Sequence, residues 1–590
     1  MCGITGEIRL DGRVPNLDAV SRMSAAMSAR GPDAHGTHSH GRVAFGHRRL
    51  KIIDTSNRAN QPLVDEDLRR AIVYNGAIYN YPELRLELTR LGHVFHTTGD
   101  TEVLLKGHAE WGEAMVGRLN GMFAFAIHDF ESGDVFLARD RLGIKPLYLT
   151  ESPACIRFAS TLPALVAGGD VDTGIDPTAL SFYMSWHAVV PAPHTILAGV
   201  RKLPPATTLT LHRDGRRTER KYWTLDFPAD DAGLGLEETK ARLLDQLDAA
   251  VRRRLVADVP VGVLLSGGLD SSLIVGLLAR HGQTGLETFS IGFDAIDDEA
   301  GDEFRYSDLV ASRFRTRHHQ IRVPAERTLS NLEDCLRAMS EPMVSHDNIG
   351  FFLLSQEVRR HVKVVQSGQG ADEVFGGYHW YPPMVTADAD SQVDTYERAF
   401  FDRGDAELAR AITPGMLRAG VARDYVRAHF DTPGATTPID RALRLDTTGM
   451  LVDDPVKRVD NHTMASGLEA RVPFLDHELV EFAATIPAKW KVRDGGKWIL
   501  KEVARSIIPA EVIDRPKGYF PVPALKYLRG TYAERVHDTM GSRAARERGL
   551  FQPDYVDELL GDPENHITPL GGSKLWQIAA LESWLQLQSL

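Results

Sequence analysis

The sequence predicts a two-domain α/β chain: a layered α+β domain over residues 1–222, and over residues 236–590 an α/β domain built on a parallel sheet, with a helical C-terminal part. Three observations predict it. At 590 residues the chain is longer than one hydrophobic core ordinarily organises. The first 150 residues carry short alternating β-type runs between turn residues, whereas the later pattern is apolar strands alternating with longer helices. Between them "VVPAPHTILAGVRKLPPATTLTLHRDGRR" is rich in Pro and turn residues and leads to "YWTLDFPADDAGLG", which places a linker at about Trp223 to Gly235.

In the first domain "GRVAFGHRRLKIID", "RRAIVYNGAIYN", "GMFAFAIHD" and "GDVFLARDRLG" read as strands, and "PELRLELTRLG" and "TEVLLKGHAEWG" as helices. In the second, "VPVGVLLSGGLDSSLIVGLLARHG" reads as strand, loop and helix. "TFSIGF", "HHQIRV" and "VKVVQSGQG" are further β-rich runs, each close to a helical segment, the signature of a parallel sheet. From about Tyr396 the periodicity is helical.

Composition excludes several function classes. There are 80 acidic against 68 basic residues, a formal charge of -12, so no electrostatic footprint for nucleic acid is present. Three cysteines, Cys2, Cys155 and Cys335, make neither a disulfide framework nor a CxxC metal motif, which fits a cytoplasmic setting. No apolar run approaches the ~20 residues that span a bilayer, so no membrane partner is expected.

The chain opens "MCGITGEIRL". With the methionine removed, Cys2 would carry a thiol nucleophile and a free amine on one carbon, and a terminal amine of pKa about 7.7–8.0 can act as a base near neutrality. A lone cysteine there reads equally as a small apolar residue beginning an edge strand. In "LLSGGLDSS" an apolar strand ends at Leu265, Ser266 to Gly268 form a loop, and a helix begins near Ser271. Backbone N–H groups at such a loop and helix start favour phosphate oxygens; no lysine follows the glycines, so it is not a Walker loop.

"SGGLDSS" resembles the pyrophosphate loop of the ATP pyrophosphatases, and "SGQGADEVFGGY" and "MASGLEARVPFLDHELVEF" resemble stretches of the asparagine synthetases. "MCGITGE", "ARGPDAHG", "GHRRLKIID", "VYNGAIYN", "GDTEVLL", "NGMFAFAIHD" and "ARDRLGIKPLYL" resemble, in order, the class II glutamine amidotransferase domain that precedes the synthetase domain in those enzymes. The resemblance covers nearly the whole chain. It implies an N-terminal Ntn-hydrolase-type sandwich and a C-terminal ATP pyrophosphatase-type synthetase domain, with ATP and Mg²⁺ as cofactors and glutamine and a carboxylate acceptor as small-molecule substrates. It also implies a homodimer.

Residue by residue, the resemblance makes Cys2 the nucleophile on glutamine, Asn75 and Gly76 the oxyanion donors, Arg49 the partner of the substrate's α-carboxylate and Asp100 of its α-ammonium. Many members have Glu after the Asn-Gly; here Ala77 stands there, which implies a missing contact near the ammonium. For ATP it implies Leu264, Ser266, Gly267, Gly268, Asp270, Ser271, Ile291, Ser367 and Gly368, with Asp270 and Asp372 on Mg²⁺ and Lys497 on phosphate. Lys517 is a further phosphate candidate. Read as an isolated residue, Lys497 would be a solvated surface charge.

Two positions depart from the asparagine synthetases. Gln369 stands where the family usually has Glu, and an amide cannot take the proton of incoming ammonia. The acceptor stretch "MSEPMVSHDNIGFFLLS" lacks the Thr-Thr-Ile-Arg run that grips aspartate in one group of members. With "YMSWHAVVPAPHTIL" and "VVQSGQGADEVFGGYHWYPPM", the chain resembles most the N-acetylglutaminylglutamine amidotransferases, which amidate a blocked dipeptide; His346, Asp347 and Asn348 are then expected at the acceptor, beside Gln369. Asparagine synthesis from aspartate is the alternative. An inactive regulatory relative is disfavoured by the intact "SGGLDSS" and Asp372, and tRNA modification by the negative charge.

Overall fold

A computed structural model describes residues 2–228, 233–294, 301–516, 518, 528 and 530–590. Two six-stranded antiparallel sheets form the first half. One runs β10 (Arg201–Lys202), β8 (Tyr148–Glu151), β9 (Cys155–Ala159), β1 (Gly3–Arg9), β3 (Val43–Arg49), β2 (Ala34–His40). The other runs β12 (Arg217–Lys221), β11 (Thr207–Leu211), β7 (Val135–Arg139), β6 (Gly121–Asp129), β5 (Arg70–Ile78), β4 (Leu63–Asp65). Strand alternation sends one side chain set from each sheet into a shared core: Ile4, Ile8, Phe45 and Phe158 meet Val73, Ala124, Ala126 and Leu137. Helices Leu17–Ala26 and Leu162–Gly168 pack on the first sheet, and Tyr81–Arg90 and Asp100–Trp111 on the second, giving four layers. Cys2 therefore precedes β1, an interior strand bonded to β3 and β9, not an edge strand.

The second half is organised by a five-stranded parallel sheet in the order β15 (Arg317–Val323), β14 (Glu287–Phe293), β13 (Val261–Leu264), β16 (Val364–Gln366), β17 (Glu469–Arg471). The chain lays β13, β14 and β15 outward in one direction, then returns to the other side of β13 with β16. That reversal is a topological switch point, where open α/β sheets bind ligands beyond the carboxyl ends of their strands. The helix after β13 spans Leu269–Arg280 and begins two residues before the expected Ser271, because Gly268 already takes the extended cap conformation and its carbonyl accepts from Ser272 N at 3.1 Å. β17 lies inside a stretch that reads as helical by periodicity; with three residues it is too short to show alternation, and its pairing to β16 is what makes it a strand. Among the described residues no helix is long and apolar enough to cross a membrane.

The C-terminal helices brace the segment that leads from β15 towards β16. Helix Lys574–Leu587 packs against Leu332–Arg337, and its tryptophans reach the acceptor stretch: Trp584 Nε1 donates to Met339 O and Trp576 Nε1 to Val344 O, both at 3.0 Å. The two halves are joined by a buried ion cluster. Lys202 Nζ bonds Glu341 Oε1 at 3.1 Å and Asp453 Oδ1 at 2.7 Å, with Tyr148 donating to Glu341 and Lys457 beside both carboxylates. Removing the cation leaves buried carboxylates short of a partner, so Lys202→Met is expected to cost about 3–5 kcal/mol, read by urea unfolding against wild type. A change under about 1 kcal/mol would mean the cluster is solvated in solution.

Candidate active sites

In the first half the chain brings Cys2, Arg49, Asn75, Gly76 and Asp100 to one end of the sandwich. Cys2 is 7% exposed, and its backbone N–H donates to Asn75 Oδ1 at 2.9 Å. With its carbonyl committed to Cys2, the buried Asn75 side chain leaves its Nδ2 donor without a hydrogen-bond partner among the described residues. A fixed, unsatisfied N–H beside a nucleophile is what a developing oxyanion requires. Gly76 is required by close approach, since a Cβ there would lie 2.1 Å from the Met122 carbonyl. Burial pushes the Cys2 thiol up, opposed by the positive charge of the chain's N-terminus and by Arg49, so the thiol needs a base to ionise it.

Asp100 opens the helix Asp100–Trp111, where a carboxylate is favoured by the helix dipole. Its Oδ2 accepts from Tyr74 Oη at 2.8 Å and from Ile78 N at 3.1 Å, and burial raises its pKa. Arg49 ends β3 and is held by the following loop. Its Nη1 donates to Ser56 O at 2.7 Å and Asn60 Oδ1 at 2.8 Å, and its Nη2 donates to the Asp54 carbonyl. The terminal nitrogens expected to clamp a carboxylate are thus committed to the loop, and binding one requires an exchange of partners. Ala77 is buried.

Sequence reasoning missed a carboxylate that the second half delivers here. Glu469 of β17 acts electrostatically on Cys2, Tyr74 and Asp100 and pairs with Arg471 at 2.6 Å. Burial works to raise its pKa, but the N-terminal ammonium and Arg471 bring it down to about 2. Likewise Asp460 forms an ion pair with Arg30 at 2.9 Å and accepts from Lys145 at 3.1 Å, and Arg30 Nε donates to the Cys2 carbonyl at 3.4 Å. No local pattern signals either acid, since the groups of the first half that Glu469 acts on and that Asp460 pairs with lie hundreds of residues away.

In the second half a cleft of about 720 Å³ lies at the switch point. Its lining includes Leu264, Ser266, Gly268, Asp270 and Ser271 after β13, Ile291 of β14, and Ser367, Gly368, Gln369 and Asp372 after β16, with Asp347, Glu373, Tyr378 and Lys497. The loop is self-braced: Ser271 Oγ accepts from Ser266 N at 3.2 Å, and Gly268 N donates to Ser266 Oγ at 3.3 Å. Gly267 has φ +77°, and a Cβ there would meet Ser307 N at 2.7 Å, so glycine is needed on both counts. His346 precedes helix Asp347–Val358 and is not among the cleft-lining residues described; Asn348 is buried behind it, accepting from His462. Met1 and Lys517 lie outside the described residues.

Lys497 is not a surface charge. It is 9% exposed, and its ammonium bridges Asp270 Oδ2 at 2.8 Å and Asp372 Oδ1 at 3.1 Å, which holds its pKa above the usual range despite burial. A cation already bridges these two carboxylates, and an oxygen-only pair facing across a cleft suits Mg²⁺ shared with phosphate. Among the described residues no group of three or more His, Cys, Asp or Glu could hold a metal without such a shared ligand. Glu373, buried beside Asp372, is pushed up to about 8 by burial and that neighbour, and accepts from Tyr378 Oη at 2.8 Å.

Four layers with a cysteine at their head, joined to a parallel sheet with a glycine loop at its switch point, define an Ntn-type glutamine amidotransferase domain followed by a synthetase domain of the ATP pyrophosphatase type. The family model described as asparagine synthase matches residues 242–586, and that described as a glutamine amidotransferase domain matches residues 1–223. Relatives in Bacillus subtilis (strain 168) include asparagine synthetase [glutamine-hydrolyzing] 3, 32% identical over 88% of this chain and 87% of that protein, and asparagine synthetase [glutamine-hydrolyzing] 1, 32% identical over 99% and 96%. A putative asparagine synthetase [glutamine-hydrolyzing] of Mycobacterium tuberculosis (strain ATCC 25618 / H37Rv) is 34% identical over 89% and 87%. The chain belongs to the asparagine synthetase family and is a glutamine-dependent carbon–nitrogen ligase.

Two outcomes are expected at the first site. Asn75→Ala should lower kcat for glutamine hydrolysis by about 10²–10³-fold in folded protein, as removal of one oxyanion donor does elsewhere; a loss under tenfold would place the donor at another residue. Glu469, with its folded pKa about 2 against 4.5 unfolded, contributes stability that is full above pH 4.5 and lost as pH falls towards 2. Glu469→Gln should therefore flatten the decline of unfolding free energy over that window, measured by denaturant titration at stepped pH.

Proposed function

We propose that the chain amidates N-acetylglutaminylglutamine, using ATP, Mg²⁺ and ammonia cut from glutamine. Cys2 Sγ attacks the side-chain amide carbon, Asn75 Nδ2 and the Gly76 N–H take the charge on oxygen, and the terminal amine returns the proton to the departing ammonia; water then releases glutamate. In the cleft, an acceptor carboxylate oxygen attacks the α-phosphorus of ATP and pyrophosphate leaves. The loop Ser266–Ser271 and Lys497 hold the phosphates, while Ile291 and the backbone at Ser367 and Gly368 flank the nucleoside. Asp270 and Asp372 would hold Mg²⁺, which when bound neutralises phosphate charge. Ammonia reaching the acyl-AMP attacks its carbon, and AMP leaves. The domains responsible are residues 1–222 and 236–590, as a homodimer.

The observation that carries the choice of acceptor is Arg458. It bonds Asp347 Oδ2 at 3.1 Å and Ser345 Oγ through Nη1, with Asp454 at 3.8 Å from Nη2. A zwitterionic acceptor needs an uncommitted cation for its α-carboxylate, as unpaired buried charges are costly, and this guanidinium already has its partners. A blocked dipeptide lacks the α-ammonium and uses amide hydrogen bonds with apolar contact, which Phe351 and Leu354 in the lining supply. Aspartate is the second reading, favoured by the acidic excess at Asp347 and Asp454, which suits an ammonium. The test is pyrophosphate release at fixed ATP and glutamine. N-acetylglutaminylglutamine is expected to give a kcat/KM at least about tenfold above that of aspartate, a difference of 1.4 kcal/mol in transition-state binding. Preference for aspartate returns the enzyme to asparagine synthesis.

A further inference from the structure

An arginine sits against the acceptor stretch that no neighbouring sequence announces. Arg458 is the second residue of helix Lys457–Met464, 111 positions from Asp347, and is 7% exposed. The side chain of Asp347 is 31% exposed and lines the cleft, so the ion pair has one member facing ligand space and one behind it. Tyr378 and Glu373, also lining the cleft, act on the same guanidinium. Among the described residues Arg458 Nε is buried without a hydrogen-bond partner, and the side chain is held by its terminal nitrogens.

The backbone leading to Arg458 is unusual. Two successive π-helical segments, Asp446–Met450 and Val452–Val456, precede the helix, with Pro455 inside the second. A π turn inserts one residue into the α register and rotates everything after it by about 100°. Pro455, which lacks an N–H, costs less within a widened turn than inside an α-helix. After this adjustment Arg458 meets Ser345 and Asp347 while Asp460, two residues on, meets Arg30 and Lys145 of the other domain. Both residues follow the insertions and turn together, and at about 100° per residue they lie roughly 200° apart on one regular helix, which lets them face partners on opposite sides.

We propose that Arg458 is the positioning residue for acceptor recognition: it anchors Asp347 at the cleft wall, where the Asp347 carboxylate accepts from N–H groups of the acceptor. The inference goes beyond the proposed function and does not depend on which acceptor is right, because a peptide amide, a carboxamide and an α-ammonium all present such donors. Arg458 is not expected to touch the nucleotide. Burial raises the Asp347 pKa and Arg458 opposes that rise, so losing Arg458 also weakens the carboxylate as an acceptor.

The experiment measures pyrophosphate release with each of the two acceptors, taking the one that wild type turns over. Arg458→Met should raise the acceptor KM by about 10–100-fold, the range of one charge-assisted hydrogen bond, while the ATP KM moves less than about threefold. Arg458→Lys, which keeps the charge, should recover most of the loss. Asp347→Asn should raise the acceptor KM similarly, and the double variant Arg458→Met with Asp347→Asn should be no worse than either alone, since both act through one carboxylate. An unchanged acceptor KM in Arg458→Met overturns the proposal, as does a parallel rise of both KM values without rescue by lysine. Should Arg458→Met fail to fold, Arg458→Lys and Asp347→Asn decide: an acceptor KM unmoved in Asp347→Asn overturns it. Preference of wild type for aspartate would remove the dipeptide reading and leave this one standing.

Discussion

The Asp460 carboxylate, buried between Arg30 and Lys145, is the constraint on which the two-site arrangement depends. A charge buried at 4% exposure is tolerated only when paired, and both its partners come from the other domain. Arg30 in turn donates to the carbonyl of Cys2. One ion cluster therefore fixes the synthetase helix Lys457–Met464 against Cys2, the proposed nucleophile. Three sets of contacts share the first turn of that helix: Lys457 joins the Glu341 and Asp453 cluster, Arg458 holds the segment around Asp347, and Asp460 holds Arg30 and Lys145 of the other domain.

The sheets set where chemistry is possible before any side chain is considered. The reversal from β15 to β16 opens the parallel sheet between β13 and β16, and the loops leaving those two strands supply most of the cleft-lining residues named above. Their close approach demands small residues: a Cβ on Gly368 would lie 2.9 Å from Asp270 Cβ, and one on Gly377 2.0 Å from Asp372 Oδ1. Gly368 and Gly377 of "SGQGADEVFGGY" are thus packing requirements of two carboxylates brought face to face.

What was legible in the sequence was what is local. "SGGLDSS" encodes its own strand end, turn and helix start, and "YNGAIYN" puts Asn75 and Gly76 on one strand, so the structure gathers both groups as the motifs suggest. The fold class was legible for the same reason, from periodicity summed over many short runs. Glu469, Asp460 and Arg458 were not, because each gains meaning only from a partner in another segment. The acceptor stretch read in isolation lacks an arginine; folding supplies one from a helix whose register depends on two π turns, which no periodicity reveals. Lys497 reads as an exposed lysine until Asp270 and Asp372 are seen on either side of it.

The charge balance of the cleft gives Gln369 a physical setting. Asp270 and Asp372 against Lys497 leave one net negative charge before any ligand enters. Glu373, pushed up to about 8, stays mostly protonated near neutrality, because a third carboxylate charge beside Asp372 is costly in a buried place. A glutamate at 369 would add to that load, whereas the amide lines the cleft without charge. Nucleotide phosphates bring several more negative charges to the same loop, where Lys497 is already shared between two carboxylates. A hard divalent cation held by Asp270 and Asp372 would restore the balance and leave Lys497 available to phosphate, so the Lys497 bridge marks where the cleft accommodates added positive charge.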